Sequence, residues 1–436
     1  MEMVVAFSVF FAALLSAVSL DMSIVYPLVL GVVCFALIAV RRGFGWVELG
    51  RMMLQGMEKS LIVIKIFVLI GAITAVWRAC GTIAFIVYYG MIWMHPQYFL
   101  LCAFLLCGLV SFLLGTSFGT VGTVGVVLMV MAKSGHVDVS VAAGAMIAGA
   151  YVGDRCSPMS SSANLVAVLT HTDLYRNISN MLKTSWLPLV LSAVAYTGLS
   201  WLSPMTVPDT AMTEEILRCF RLPWVVVLPA AIVLVLAVFR VDVKLSMGIS
   251  ILAGFFIGLV VQGWTVGEML KYLVWGYTTA DTGFFAGVIQ GGGLYSMLKV
   301  TAIVLISSAY AGIFSGTGLL REVENFFALL SRKTGVYSAT VVASVVTAAF
   351  SCNQTLAVML THQCVRDNYK NRQLDGYRFA LDMENTVILI SALVPWNIAG
   401  AVPAAALGAD AGFIPYAVYL FLVPLVNWFL RDNEKI

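Results

Sequence analysis

The chain has 436 residues, 61% of them hydrophobic and 11% charged, with a formal net charge of +3. A soluble domain carries about 25% charged residues, so this composition cannot cover a globular surface and points to a membrane protein. Its few basic residues form no continuous stripe, which excludes a nucleic-acid partner.

The first uncharged stretch, Met3 to Leu20, follows Glu2 rather than basic residues and shows no small-residue cleavage pattern. It reads as a retained transmembrane helix within residues 1–22. Ser23 to Val40, Pro223 to Phe239 and Phe413 to Leu430 are similar stretches, each near the roughly 20 apolar residues a spanning helix needs. They are continuous rather than alternating, which favours helices over barrel strands. The expected fold is an all-α polytopic membrane protein.

Between these stretches the helices must break. Tyr98 to Ala132 holds no charge, yet as one helix it would be roughly 50 Å long against a hydrocarbon core of about 30 Å. Gly115-Thr116-Ser117-Phe118-Gly119-Thr120-Val121-Gly122-Thr123 supplies the break. Val139 to Thr172 is interrupted in the same way, at Gly153 to Pro158 and at Ser160 to Asn164. Farther along come Ser351-Cys352-Asn353-Gln354-Thr355 and Val394-Pro395-Trp396-Asn397.

These interruptions repeat. Gly81 and Gly318 (318 − 81), Pro158 and Pro395 (395 − 158), and Asp173 and Asp410 (410 − 173) all lie 237 residues apart. Amphipathic segments, Trp46 to Met57 and Trp264 to Trp275, open the two halves, and a glycine-rich insertion, Gly283 to Gly293, lengthens the second. The expected organisation is a first repeat over residues 23–202, a connecting loop and linking helix over 203–243, a second repeat over 244–430 and a tail over 431–436. The basic loop Arg366 to Arg378 corresponds to the nearly neutral Lys133 to Asp138. By the positive-inside rule the two repeats are inverted and both termini are cytoplasmic, in a multi-pass protein of the cell membrane. Broken or re-entrant helices at matching positions of inverted repeats mark the binding site of a secondary transporter.

Gly149-Ala150-Tyr151-Val152-Gly153-Asp154-Arg155 followed by Ser157-Pro158 resembles the signature of the NhaC family of sodium/proton antiporters. Gly115-Thr116-Ser117 with Thr120, Gly122 and Thr123, Gly291-Gly292-Gly293-Leu294, Arg366-Asp367-Asn368-Tyr369, Glu384 and Pro395-Trp396-Asn397 are similar to further blocks of that family. The resemblance covers most of the chain. It implies a cation-coupled antiporter working by alternating access, or an exchanger of a small carboxylate or amino acid coupled to Na+ or H+. It also implies acidic residues near the positions held here by Tyr295, Ser161, Asn353 and Asn385. The chain has neutral or aromatic groups there.

The candidate ligands of the transported ion or small organic substrate are Thr116, Ser117, Thr120, Thr123, Asn353, Gln354 and Thr355 from one pair of breaks. Ser157, Ser160, Asn164, Trp396 and Asn397 come from the other. Asp154 lies about 22 Å along a helix begun at Val139, deep in the hydrocarbon, where ionisable groups are costly and usually functional. Asp154 and Glu384 are the proton-coupling candidates, although Asp154 also fits a plain pairing with Arg155, and Glu384 an interfacial carboxylate with Asp382 nearer the surface. The cluster Gly115 to Gly125 fits close helix packing as well as ligation. Eight cysteines show no metal-ligand spacing. Gly115-Thr116-Ser117-Phe118-Gly119 matches a hydrolase motif literally, but it follows a membrane helix where that motif needs a strand. The expectation is therefore a non-enzyme without cofactor other than transported Na+ or H+, in contact with lipid, with a homodimer left open.

Overall fold

The computed structural model of the protein describes residues 10, 12–13, 16–17, 25–93, 95–206, 210–239, 241–281, 283–317 and 334–432. Most of the Met3 to Leu20 segment, Gly318 with its repeat spacing, and residues 433–436 of the expected tail lie outside them.

Apart from one isolated bridge between Tyr277 and Gly291, the described residues pair only as helices and turns. In order these are α1 (Val25–Arg41), α2 (Trp46–Ala79), α3 (Thr82–Trp93), α4 (Phe99–Leu114), α5 (Ser117–Ser134), α6 (Val139–Cys156), α7 (Ser161–Thr170), α8 (Leu174–Leu202), α9 (Thr210–Cys219) and α10 (Trp224–Val238). There follow α11 (Val243–Gln262), α12 (Val266–Trp275), α13 (Phe284–Ile289), α14 (Leu298–Thr317), α15 (Val336–Ser351), α16 (Gln354–Asn371), α17 (Gly376–Asn385), α18 (Val387–Leu393), α19 (Ile398–Leu407) and α20 (Val418–Asp432). Among the described residues α5, α8, α11 and Pro96–Leu114, which contains α4, are long and apolar enough to cross a membrane. Two bent pairs, Ile64–Ala79 with Thr82–Gly90 at 68° and Gly376–Leu393 with Ile398–Leu407 at 52°, each fit one further broken span. The chain is a multi-pass, all-α membrane protein.

All four expected breaks are present, and the backbone shows why they fall where they do. α4 ends at Gly115, whose φ of +68° turns the chain out of the helix, and Thr116 restarts it by accepting the Gly119 amide. α15 ends at Cys352, with φ +50°, and Asn353 restarts α16 by accepting the Thr355 and Leu356 amides. These are the same two devices at the same spacing of 237 residues (352 − 115, 353 − 116). That spacing also relates the left-handed residues His136 and Gln373, and His171 and Gly408. It relates four N-cap positions as well: Asp138 with Asp375, Ser160 with Asn397, Asp173 with Asp410, and Thr116 with Asn353. At each of these positions except Asp375 the short polar side chain accepts an amide that the new helix leaves without a partner.

The copies are inverted in the structure. At the start of the 29-residue α8, Arg176 lies 4.0 Å from the Tyr377 ring centre and the Asp173 amide donates to the Tyr377 hydroxyl. Past its other end, the Thr206 amide and hydroxyl both donate to the Gly135 carbonyl at 2.9 Å. The equivalent turns at His136 and Gln373 therefore sit at opposite ends of the bundle.

Two features differ from the sequence expectation. Trp46 to Met57 is the first part of the uninterrupted 34-residue helix α2, because no breaker follows it before Ala79. In the second half α12 stops at Gly276, where Gly291, Gly292 and Gly293 return the chain with φ of +114°, +76° and +83°. A side chain on Gly293 would begin 2.3 Å from the Gly276 nitrogen. α2 meets α14 through Gly56 and Gly312, each packed on the other helix's backbone, the small-residue crossing common in membranes.

Candidate functional site

The site is built where α6 ends. Gly149 and Gly153 lie against α4 so closely that a Cβ on Gly153 would sit 2.0 Å from the Ser111 carbonyl carbon, and one on Gly149 2.3 Å from the Phe104 oxygen. The Ser111 hydroxyl donates to the Ala150 carbonyl across this seam. The glycines of the Gly149-to-Arg155 motif thus dock the helix, and its polar residues face elsewhere.

Asp154 is buried and receives the Ser117 hydroxyl at 3.3 Å. The Gln354 side chain, which donates to the Ile388 carbonyl at 3.0 Å, also serves the Asp154 carboxylate. Ser117 and Gln354 are the first residues of α5 and α16, equivalent positions of the two copies (354 − 117 = 237). The two broken-helix tips thus converge on one carboxylate. Ser160 and Ser162 donate to the Asp154 backbone carbonyl, the latter at 3.0 Å, which fastens the second break of the first half to the same residue.

Glu384 approaches from the other half on α17. It is 1% exposed, neither carboxylate oxygen has a hydrogen-bond partner, and it lies within electrostatic range of Asp154 and Arg155. Asp382, expected nearer the surface, is equally buried and accepts the Tyr369 hydroxyl at 2.8 Å. Both carboxylates are thus enclosed by protein rather than exposed. Arg155 does not pair with Asp154. Its guanidinium turns away from that carboxylate to Ser185, Thr184 and the Met181 carbonyl of α8, to Tyr419 of α20, and to the Asn385 side-chain oxygen.

The remaining candidates divide. Thr120 and Thr123 are fully buried beside Ser117, but their hydroxyl protons go to the Thr116 and Gly119 carbonyls, leaving lone pairs as their only offer to a ligand. Ser157 accepts the Met159 amide and holds its own turn. Asn164 and Thr355 are exposed, and Asn164 donates to the Pro158 and Ser160 carbonyls. Trp396 and Asn397 donate to the Ala349 and Ala348 carbonyls, so they plug the end of α15. Asn353 spends its side-chain oxygen on the cap of α16. The structure thus gathers Ser117, Asp154, Ser160, Gln354 and Glu384, with Thr120 and Thr123 flanking. Among the positions where the family resemblance implies acids, Ser161 and Tyr295 are exposed, and Asn385 is the fully buried one.

Sequence reasoning missed the partners of Arg155 and a fifth interruption, between α17 and α18, where Thr386 takes φ −122° and ψ −84°. Nothing in Glu384-Asn385-Thr386 announces a break. Among the described residues no cluster of three His, Cys, Asp or Glu that could hold a resident metal occurs.

Sequence comparison identifies the family. The profile of the Na+/H+ antiporter family matches residues 1–163 and 149–428. The chain is 27% identical to the malate-2H(+)/Na(+)-lactate antiporter of Bacillus subtilis (strain 168), over 95% of this chain and 90% of that one. It is 28% identical to the Na(+)/H(+) antiporter NhaC of Alkalihalophilus pseudofirmus, over 91% and 88%. It is 26% identical to the arginine/ornithine antiporter ArcD of Halobacterium salinarum, over 94% and 88%.

Proposed function

The chain belongs to the Na+/H+ antiporter family and is a cation-coupled antiporter, and on that premise we propose that it works by alternating access around Asp154 and Glu384. The observation that carries this reading is Glu384, a fully buried carboxylate with two unpartnered oxygens beside a second buried carboxylate. A bare charge at that depth is too costly to persist, so such a group holds a proton or a metal cation. Sodium and proton then compete for the same oxygens, and the Ser117 hydroxyl and Gln354 amide hold Asp154 in place for either. Competition of this kind couples the two flows. One cation leaves as the other arrives, and the tips of α4–α5 and α15–α16 move with it.

Proteoliposomes with imposed sodium and pH gradients test the reading. Asp154→Asn and Glu384→Gln keep the shape of each side chain but cannot exchange a proton. Each should reduce coupled exchange to background while the protein stays folded, and wild-type exchange in either variant makes that carboxylate structural. Exchange of a small carboxylate or an amino acid is the second reading, favoured by the names of two of the relatives above. A substrate panel in the same vesicles separates the two.

The turn at His136 faces outward and the basic loop Arg366 to Arg378 inward, both termini being cytoplasmic, because basic residues concentrate on the inner side. His136 and Asn371 are both exposed. Single cysteines at these positions, in a cysteine-free background, should label from opposite sides, and labelling from one side only rejects the orientation.

A further inference from the structure

Arg155 follows Asp154 directly, yet the last turn of α6 sends the two side chains to different places. Asp154 faces the helix tips, at Ser117 and Gln354. Arg155 is 0% exposed and both its terminal nitrogens are committed to the protein. One donates to Ser185 and, at 3.1 Å, to Tyr419. The other donates to Asn385, to Thr184 at 3.1 Å and to the Met181 carbonyl at 3.5 Å. None of these acceptors is a carboxylate. Arginine stays charged in proteins, so the positive charge is permanent and no contact ion pair neutralises it.

The position of Asn385 gives this arrangement a purpose. It is the last residue of α17, next to Glu384 and to the interruption at Thr386, and its side-chain oxygen is taken by Arg155 while its amide nitrogen has no partner. The end of the helix that carries Glu384 is thus tied to α6 and α8 through one guanidinium.

We propose that Arg155 is a positioning residue of the ion site: through Asn385 it holds the end of α17 so that Glu384 faces Asp154. The inference rests on the Asp154–Glu384 reading above. Arg155 is not a ligand for substrate, because both terminal nitrogens are spent on the protein.

The test is sodium/proton exchange in proteoliposomes at fixed pH, read as maximal rate. Arg155→Gln and Asn385→Ala each cut the tie between α6 and α17, and each should lower that rate. Because both remove the same tie, the double variant should be no slower than the slower single one. Arg155→Lys keeps the charge but cannot serve three helices at once, so it should not restore the rate. Asn385→Ala at the wild-type rate, or a double variant slowed by the product of the two single effects, overturns the positioning. Should Arg155→Gln not fold, Arg155→Lys takes its place in the same comparison. Glu384→Gln in the same vesicles separates the two layers. If it exchanges as wild type, the site reading itself fails. If it is inactive while Asn385→Ala is unchanged, only the inference about Arg155 falls.

Discussion

From Phe99 to Leu174 and from Val336 to Ala411 the two halves start their helices at equivalent residues yet fill the space between those helices with different chemistry. In the first half α4 and α6 meet backbone to backbone at Gly149 and Gly153, and Ala103, Ala132 and Ala145 are fully buried. At the same spacing of 237 residues (340 − 103, 369 − 132, 382 − 145) the second half has Thr340, Tyr369 and Asp382, joined by hydrogen bonds of 2.9 and 2.8 Å. Cys107 is matched by Ser344 and Gly149 by Thr386, and that pair bonds at 3.0 Å. Val110 and Val124 are matched by Thr347 and Thr361, which bond at 2.6 Å. One duplicated scaffold has thus been finished once as a glycine seam and once as an interior laced by hydroxyl pairs. The seam suits helices α4 and α6 that move as one body and present Asp154 together. The hydroxyl pairs suit an element whose contacts re-form in more than one arrangement, since a hydrogen bond lost by sliding is replaced by the next hydroxyl along.

The strongest way to break this comparison is to give the seam a side chain. Gly153→Ala places a methyl 2.0 Å from backbone that cannot rotate away, and Ile390 occupies the matching position in the second half (390 − 153 = 237) without harm. Overpacking against backbone costs at least about 3 kcal/mol, at the upper end for such changes. Thermal unfolding in detergent should show either a large drop in midpoint or no folded protein. A melting curve like wild type would show that α4 and α6 are free to part.

Much of this fold was legible before any coordinates, and the reason is physical. Length against bilayer thickness forces a break in Tyr98 to Ala132, and only polar or glycine residues let one form, so Gly115-Thr116 and Cys352-Asn353 stand out. The repeat was legible because caps and left-handed turns tolerate few residue types. Asp154 was legible because a lone carboxylate in an apolar run is conspicuous. The destinations of side chains were not: a pairing of Arg155 with Asp154 stayed open in the sequence, and only the crossing of α6 with α8 and α20 separates them. Asn164, Thr355, Trp396 and Asn397 read as ligands because polar residues at a break serve the ion or the backbone equally well in sequence.

A smaller effect comes from the second half's buried carboxylate. Tyr369→Phe removes the hydroxyl that donates to Asp382 and pairs with Thr340, moving one member of the polar trio toward the alanine of the first half. Losing a buried hydrogen bond of this kind costs about 1 kcal/mol. The midpoint of unfolding should fall accordingly, and an unchanged midpoint would show that the trio adds nothing to stability.

The smallest expected effect sharpens the comparison most, because the protein already contains its control. Thr347 and Thr361 bond to one another across the α15–α16 hairpin, and the first half has valine at both equivalent places, Val110 and Val124 (347 − 110 = 237, 361 − 124 = 237). Changing one partner, Thr347→Val, leaves the other hydroxyl short of an acceptor in a dry interior and should cost about 1 kcal/mol. Changing both removes the polar atoms and their desolvation together while keeping the shape, so the double variant should be nearly as stable as wild type. Stability and transport should then part company. If the hydroxyls serve only packing, the double variant exchanges cations at the wild-type rate, and the two halves differ by drift. If the hydroxyl-lined interior is what lets the second hairpin slide, the double variant keeps its unfolding midpoint but exchanges more slowly, as a half remade in the image of the rigid one should.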